Sequence, residues 1–560
     1  MKKIFLLVAA VAVFASCSDK VYEELNTDPT KSETLEPSYQ LAYAEKQIFG
    51  DMNYVDVHRL YTYAFTQHLM GCWNTTNYGG QHRTDDNEMS RPWNNLYTGA
   101  FRNLTDAMAQ TKGVPEKANI YAALTIFRVY VASLLTDFYG DIPYSDAGLS
   151  ALEGITQPKY DKQEDIYKSF FAELEAAVVL FDKKAEAIAN DPMFNGDIEK
   201  WKRFANSLCL RYAMRISDVL PELAEEKFNA ALTAGVMTDA SDDACVLHEN
   251  ISYSFGQESY KDFRGNALAK YFYGNDAANN PSYVCQTFWD QLFANNDPRT
   301  TLICGFYIDD YMDIFTGEGR IDMTDSLIAT QIANTDKSVA NPVKTGNFAY
   351  EPWPAYANIS GSPLAAKVAE VKSEHPEFNP DKNPRWTRPK LANNLLRSDN
   401  PGVIMSYAEV CFLRAEAAVL WKTEPDPEAL YKEGIRAAIY FVTSNYGYEP
   451  VSDAAITAYL AEPNVAFASD DDTRRYQINT QAWILHFHNP AEAWANQRRS
   501  DMPEMVKPSI SNMMDGNVNV PVRLCYPLKE GTYNNTAYQE AKNRVVGTYD
   551  WHARMWWDIH

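Results

Sequence analysis

Residues 404–442 read IMSYAEVCFLRAEAAVLWKTEPDPEALYKEGIRAAIYFV. Ile404, Ala408, Cys411, Phe412, Ala415 and Val419 recur at steps of three and four, the period of one buried helix face. Pro425-Asp426-Pro427 interrupts the pattern, because proline resists continuing a helix yet suits the first turn of the next one. Leu430, Ile435, Ala438, Ile439 and Val442 then resume it. The stretch reads as two helices joined by a short turn. Each has an apolar face, so the pair must stack on neighbours to bury both.

The same signature recurs upstream. Ile120, Ala123, Leu124, Phe127, Val131, Leu134, Leu135 and Phe138 form a stripe with almost no charge beside it, which marks an inner helix ending at Gly140. Ile166, Phe170, Leu174, Val178 and Phe181 form another, with charged residues on the solvent side. Trp201, Phe204, Ala205, Leu208, Tyr212 and Ile216 form a third, ending before Pro221, which is placed to open a further helix. The expected fold is all-α, with tetratricopeptide-like helix pairs making a curved scaffold over about 40–235 and 402–500. No strict repeat period is present, and a generic helical bundle is the alternative. Over about 236–401 the helical period fades into Gly, Pro, Asn and aromatic residues, a loop-rich excursion of the kind that carries binding residues on a rigid frame. Residues 501–560 read as an irregular C-terminal segment.

At the N-terminus, Lys2 and Lys3 precede an apolar run from Ile4 to Phe14, and Ala15-Ser16 leads into Cys17. This is a secretory signal over 1–16 with a cysteine at the cut, so Cys17 is the expected lipidation site and 17–560 the mature chain. Several acyl chains, at about 0.8 kcal/mol per buried methylene, would anchor it durably to a membrane surface. No other apolar stretch approaches a membrane span in this reading. The 560 residues carry a formal charge of −23, which repels phosphate backbones and argues against nucleic acid and anionic headgroups as partners. The remaining cysteines are scattered without a C-x-x-C pair, and Cys209 and Cys411 sit at helical spacing among apolar residues, as small buried hydrophobes do.

No nucleophile elbow, H-E-x-x-H, Walker loop or dinucleotide fingerprint occurs in the sequence, so no catalytic residue, cofactor or metal is assigned and the protein is read as a non-enzyme. His486, His488 and Glu492 invite a metal reading, but the two histidines fall on different helix faces. Asp470-Asp471-Asp472 and Asp309-Asp310 match no calcium-loop spacing and read as solvated acidic faces. Aromatic residues make up 13% of the chain, with 35 tyrosines and 12 tryptophans, more than a helical core needs. Residues 71–80, GCWNTTNYGG, place Trp73, Asn74, Asn77 and Tyr78 on one short loop. Sugar rings present apolar C–H faces and many hydroxyls, so flat rings beside amides suit them. Trp353 and Tyr356 are the expected second wall of this ligand site. The alternative is that Trp73 and Trp353 anchor their loops to the scaffold.

Five strings together resemble one known family. They are Glu23-Glu24-Leu25-Asn26-Thr27-Asp28-Pro29, Phe138 to Ala147 (FYGDIPYSDA), Trp201 to Arg215 (WKRFANSLCLRYAMR), Tyr407 to Ala417 (YAEVCFLRAEA) and Pro490 to Arg499 (PAEAWANQRR). In this order, behind a lipoprotein signal, they resemble the SusD/RagB family of outer-membrane nutrient-binding lipoproteins. The resemblance implies a surface-exposed, non-catalytic protein of the cell outer membrane that captures oligosaccharide or polysaccharide and passes it to a partner TonB-dependent transporter of the SusC type. A version that takes oligopeptides is the alternative within the same machinery, and an acidic surface would then favour basic peptides. A lipid-anchored glycoside hydrolase and a purely structural partner subunit are rivals from other classes. The matching strings are scaffold motifs and carry no ligand residues across.

Overall fold

In the computed structural model Gly140, at φ +85°, ends the helix that the longest apolar stripe foretold, a backbone conformation that glycine adopts without penalty. The structure describes residues 35–70, 77–251, 262–271, 283–305, 307–308, 321–322, 390–508 and 510–560. The expected signal, Cys17, Trp73, Asn74, Asp309, Asp310, Trp353 and Tyr356 lie outside them. The helices that frame the molecule are α1 (Pro37–Gly50), α2 (Arg102–Thr111), α3 (Ala118–Tyr139), α4 (Gln163–Leu180), α5 (Ile198–Arg215), α6 (Pro221–Ala234), α7 (Gln286–Ala294), α8 (Tyr407–Trp421), α9 (Pro427–Asn445), α10 (Asp453–Leu460), α11 (Asp471–Leu485) and α12 (Pro490–Ser500). The architecture is predominantly helical and tetratricopeptide-like.

Successive helices pack on one another: α3 on α4, α5 on α6, α8 on α9 and on α11. The Pro-Asp-Pro turn works as its chemistry suggests. The Asp426 side chain accepts from the Ala429 amide at 2.9 Å, and Pro427 occupies the first turn of α9. Gly434 lets the pair close, because a Cβ there would stand 2.5 Å from the Phe412 ring. One buried cluster runs through α1 to α7 and into the C-terminal segment, and a second fills the space among α8, α9, α10 and α11. Cys209 and Cys411 are buried within these layers.

Two sequence expectations are corrected here. Ile404 is not part of α8 but of strand Gly402–Met405, which pairs antiparallel with Ala244–Val246; because Ile404 stands four residues before Ala408, a strand running straight into the helix extends the helical apolar period. The segment Pro115–Tyr139 is in fact long and apolar enough to cross a membrane, and 83% of its most apolar window is buried inside the protein, so it is the central core helix. Among the described C-terminal residues are the 3-10 turn Ile510–Asn512 and two short helices, Glu530–Tyr533 and Asn535–Arg544, and the Leu524 amide donates to the Phe138 carbonyl at 2.7 Å.

Candidate ligand site at the strand stems

The short strands are β1 (Leu69–Met70), β2 (Ala244–Val246), β3 (Tyr283–Val284), β4 (Cys304–Gly305), β5 (Tyr307–Ile308), β6 (Ile321–Asp322), β7 (Lys390–Leu391) and β8 (Gly402–Met405). β1 pairs antiparallel with β3, joining Leu69 to Val284, and the Cys285 amide donates to the His68 carbonyl at 2.9 Å. β4 pairs with β7, joining Cys304 to Leu391, and the Ala392 amide donates to the Ile303 carbonyl at 2.9 Å. β3 touches β7. The chain therefore leaves for residues 71–76, and for 306–389, from adjacent stems. These are the segments that hold Trp73 and Asn74 and that hold Trp353 and Tyr356.

The stems stand on a buried aromatic floor supplied by α11 and the turn after it. The His68 ring stacks on Trp483 at 4.6 Å, its Nε2 lies 2.9 Å from the Trp483 carbonyl, and Trp483 Nε1 donates to the Thr66 carbonyl at 2.9 Å. Burial lowers the His68 pKa to about 3, so the ring is neutral and fixed. Gln67 is held at φ +55° and ties three segments together. Its Nε2 donates to the Val506 carbonyl at 2.8 Å, while its Oε1 accepts from the Val506 amide at 3.1 Å and from the Thr287 hydroxyl at 2.7 Å. A non-glycine residue held in the left-handed region costs of order 1 kcal/mol, which these bonds must offset.

Of the six expected ligand residues, Asn77 and Tyr78 are described. They begin a helical turn in which the Arg83 amide donates to the Asn77 carbonyl at 3.0 Å and to the Tyr78 carbonyl at 2.9 Å. Tyr78 is half-buried. Its ring meets Tyr61 edge-on at 5.8 Å, and the Arg83 guanidinium lies 5.1 Å from its centroid. Burial, then the Asp85 and Glu88 carboxylates, raise the pKa of its hydroxyl. Gly79 has to be glycine, since a Cβ would stand 2.8 Å from the Leu60 carbonyl. The result is an aromatic ring with a guanidinium over one face and two carboxylates in its electrostatic neighbourhood, donors and acceptors that can meet sugar hydroxyls.

The scaffold also holds buried charges that the apolar stripes do not reveal. Arg211 forms a fork with Glu409, at 2.6 and 2.7 Å, and donates to the Ile404 carbonyl at 2.8 Å. Arg215 meets Glu492 at 2.7 Å, and Arg499 meets Glu416 at 3.0 and 2.7 Å. All six side chains are buried. Burial opposes ionisation of Glu409, but Arg211 overcomes it and lowers the pKa to about 2. The residues of the expected metal reading are separated by other partners: His486 Nε2 lies 3.4 Å from Glu409, His488 Nδ1 lies 2.9 Å from the Tyr446 hydroxyl, and Glu492 serves Arg215. Asp470 proves to be the cap of α11, accepting from the Thr473 amide at 2.9 Å, and Asp471 pairs with Arg474 at 2.8 Å.

A family model described as SusD-like, starch-binding and associating with the outer membrane matches residues 29–340 and 364–527. The chain belongs to the SusD-like family. A solved Bacteroidetes AC2a SusD-like protein is 62% identical, with a TM-score of 0.88 over 94% of this chain and 100% of its own. A chitin-binding protein is 30% identical, with a TM-score of 0.73 over 94% of this chain and all of its own. A SusD homologue from Bacteroides fragilis, 21% identical over 94% of this chain and 99% of its own, shares the fold at a TM-score of 0.65. No curated protein sequence matches. Three of the strings behind the resemblance, on α5, α8 and α12, are the ones that carry the buried Arg–Glu pairs. They are SusD-like scaffold positions, and the family associates with the outer membrane.

Proposed function

We propose that this SusD-like protein is a non-catalytic, lipid-anchored glycan receptor. It captures oligosaccharide on Trp73, Asn74, Asn77 and Tyr78, with Trp353 and Tyr356 as the second wall, and passes it to a TonB-dependent transporter of the SusC type. The observation that carries this reading is the adjacency of the two strand stems, β1–β3 and β4–β7, from which both aromatic segments issue. The starch-binding description of the family and the chitin-binding relative support a glycan as the ligand. The lipid on Cys17 would hold the receptor at the outer-membrane surface.

Calorimetric titration against a panel of glycans, with basic peptides as the comparison arm, tests the ligand class. Trp73→Ala should weaken binding of the best glycan by about 1–3 kcal/mol, the cost of truncating a central aromatic anchor, with an unchanged melting curve. Unaltered affinity in a stable variant would remove the platform, peptide binding alone would replace glycan by peptide, and release of reducing ends would make the protein an enzyme. Cys17→Ala should abolish partition into membranes, and full membrane retention of that variant would end the anchor assignment.

A further inference from the structure

Three chain segments far apart in sequence meet at His82, Asp515 and His552. His82 Nδ1 lies 3.4 Å from Asp515 Oδ1, and His552 Nε2 lies 2.8 Å from Asp515 Oδ2. One ligand atom from each side chain falls within 4.8 Å of the other two. The Asn517 carbonyl stands 3.0 Å from the same His82 nitrogen. We propose that these groups form a zinc site, with His82 Nδ1, His552 Nε2, an Asp515 carboxylate oxygen and the Asn517 carbonyl as ligands. Tetrahedral zinc with bonds of about 2.0–2.1 Å sets neighbouring ligand atoms roughly 3.4 Å apart; His82 Nδ1 and Asp515 Oδ1 already stand at 3.4 Å, and small side-chain rotations would bring the contacts at 2.8 and 3.0 Å to that spacing. Two imidazoles with one carboxylate favour a borderline transition metal over calcium, which prefers an all-oxygen shell.

The surroundings fit such a role. Trp551 Nε1 donates to Asp515 Oδ2 at 3.0 Å and the Asn517 amide to Asp515 Oδ1 at 3.0 Å, so the carboxylate is already oriented by outer donors. His82 is buried and held at φ +55°, an uncommon conformation for a residue with a Cβ. The Met514 amide donates to the Gln81 carbonyl at 2.8 Å and keeps the first two segments in register. His552 borders a cavity of about 880 Å³, which supplies a route for the ion from solvent. His552 lies beyond residue 527, where the family match ends. A metal here would fasten the segment that follows the early aromatic loop to the C-terminal segment. The inference stands independently of what the loop binds.

The test uses the full mature chain, free of any histidine tag and stripped with chelator. Titration with zinc chloride alone should saturate at one equivalent and raise the melting temperature, and cobalt chloride should give the visible ligand-field bands of a nitrogen- and oxygen-ligated ion. His552→Gln and Asp515→Asn should each weaken binding about tenfold or more, while His560→Gln, at a ring that meets Asp218 instead, should leave it unchanged. A far-ultraviolet spectrum equal to that of the unsubstituted chain certifies each variant. Absence of saturable binding to the unsubstituted protein, or binding retained in both folded cluster variants, would overturn the proposal and leave an ordinary histidine–carboxylate contact.

Discussion

Asp243 shows how one side chain can set a pH dependence for the whole molecule. Its Oδ1 accepts from the Tyr407 amide at 2.7 Å, at the start of α8. Burial pushes its carboxyl up to about 7 from an ordinary 3.8, with Asp242 and Asp239 adding repulsion against the Tyr407 hydrogen bond, which opposes the shift. The folded chain thus holds this proton to higher pH than the unfolded chain does. The contribution to stability is full below about 3.8 and is lost as pH rises towards about 7. Asp243→Asn keeps an acceptor for the Tyr407 amide and removes the titration. Its unfolding free energy relative to the unsubstituted protein should therefore improve between pH 4 and pH 8, by on the order of 1 kcal/mol or more at the upper end, read by denaturant titration at each pH. An equal difference at both pH values would refute the assignment. At this same scale the sequence was a partial guide. The aromatic and amide content of residues 71–80 marked a candidate platform, but nothing in linear spacing could bring His82 to Asp515 and His552, because that contact depends on the C-terminal segment folding back across the scaffold.

Between elements, the Arg–Glu pairs couple helices that are remote in the chain. Arg211 on α5 reaches Glu409 on α8, and because both are buried, removing one partner leaves a charge without compensation. Arg211→Ala should cost about 3–5 kcal/mol in denaturant unfolding, and replacing Glu409 by leucine as well should recover much of that loss. A cost below about 1 kcal/mol for the single variant would show that the pair is not desolvated as described. The helices themselves were legible, since apolar residues at steps of three and four locate α3, α4, α5, α8 and α9 within a few residues. The pairs were not. Periodicity assigns every charge to water by default, and an arginine on an apolar helix looks the same in sequence whether it faces solvent or a glutamate in the core. Ile404 failed for a related reason: a strand leading straight into α8 extends the apolar pattern without a break.

For the molecule as a whole, a scaffold of stacked helices was readable because each helix pair repeats one local pattern. The division into a long-range core was less so, since residues of the C-terminal segment, such as Trp551 and Trp557, are buried against helices hundreds of positions earlier. The two-stranded stems have a consequence for how such a receptor changes its ligand. β4 and β7 bring the two ends of residues 306–389 side by side, and β1 anchors the start of the early loop on β3 next to them. The entropy of closing a segment between fixed ends grows only with the logarithm of its length, about 0.6 kcal/mol per doubling. Insertions, deletions or wholesale exchange of sequence beyond these necks therefore perturb the helical frame little. Natural variation can rewrite the recognition surface like a cassette while the buried charges of the frame stay constrained.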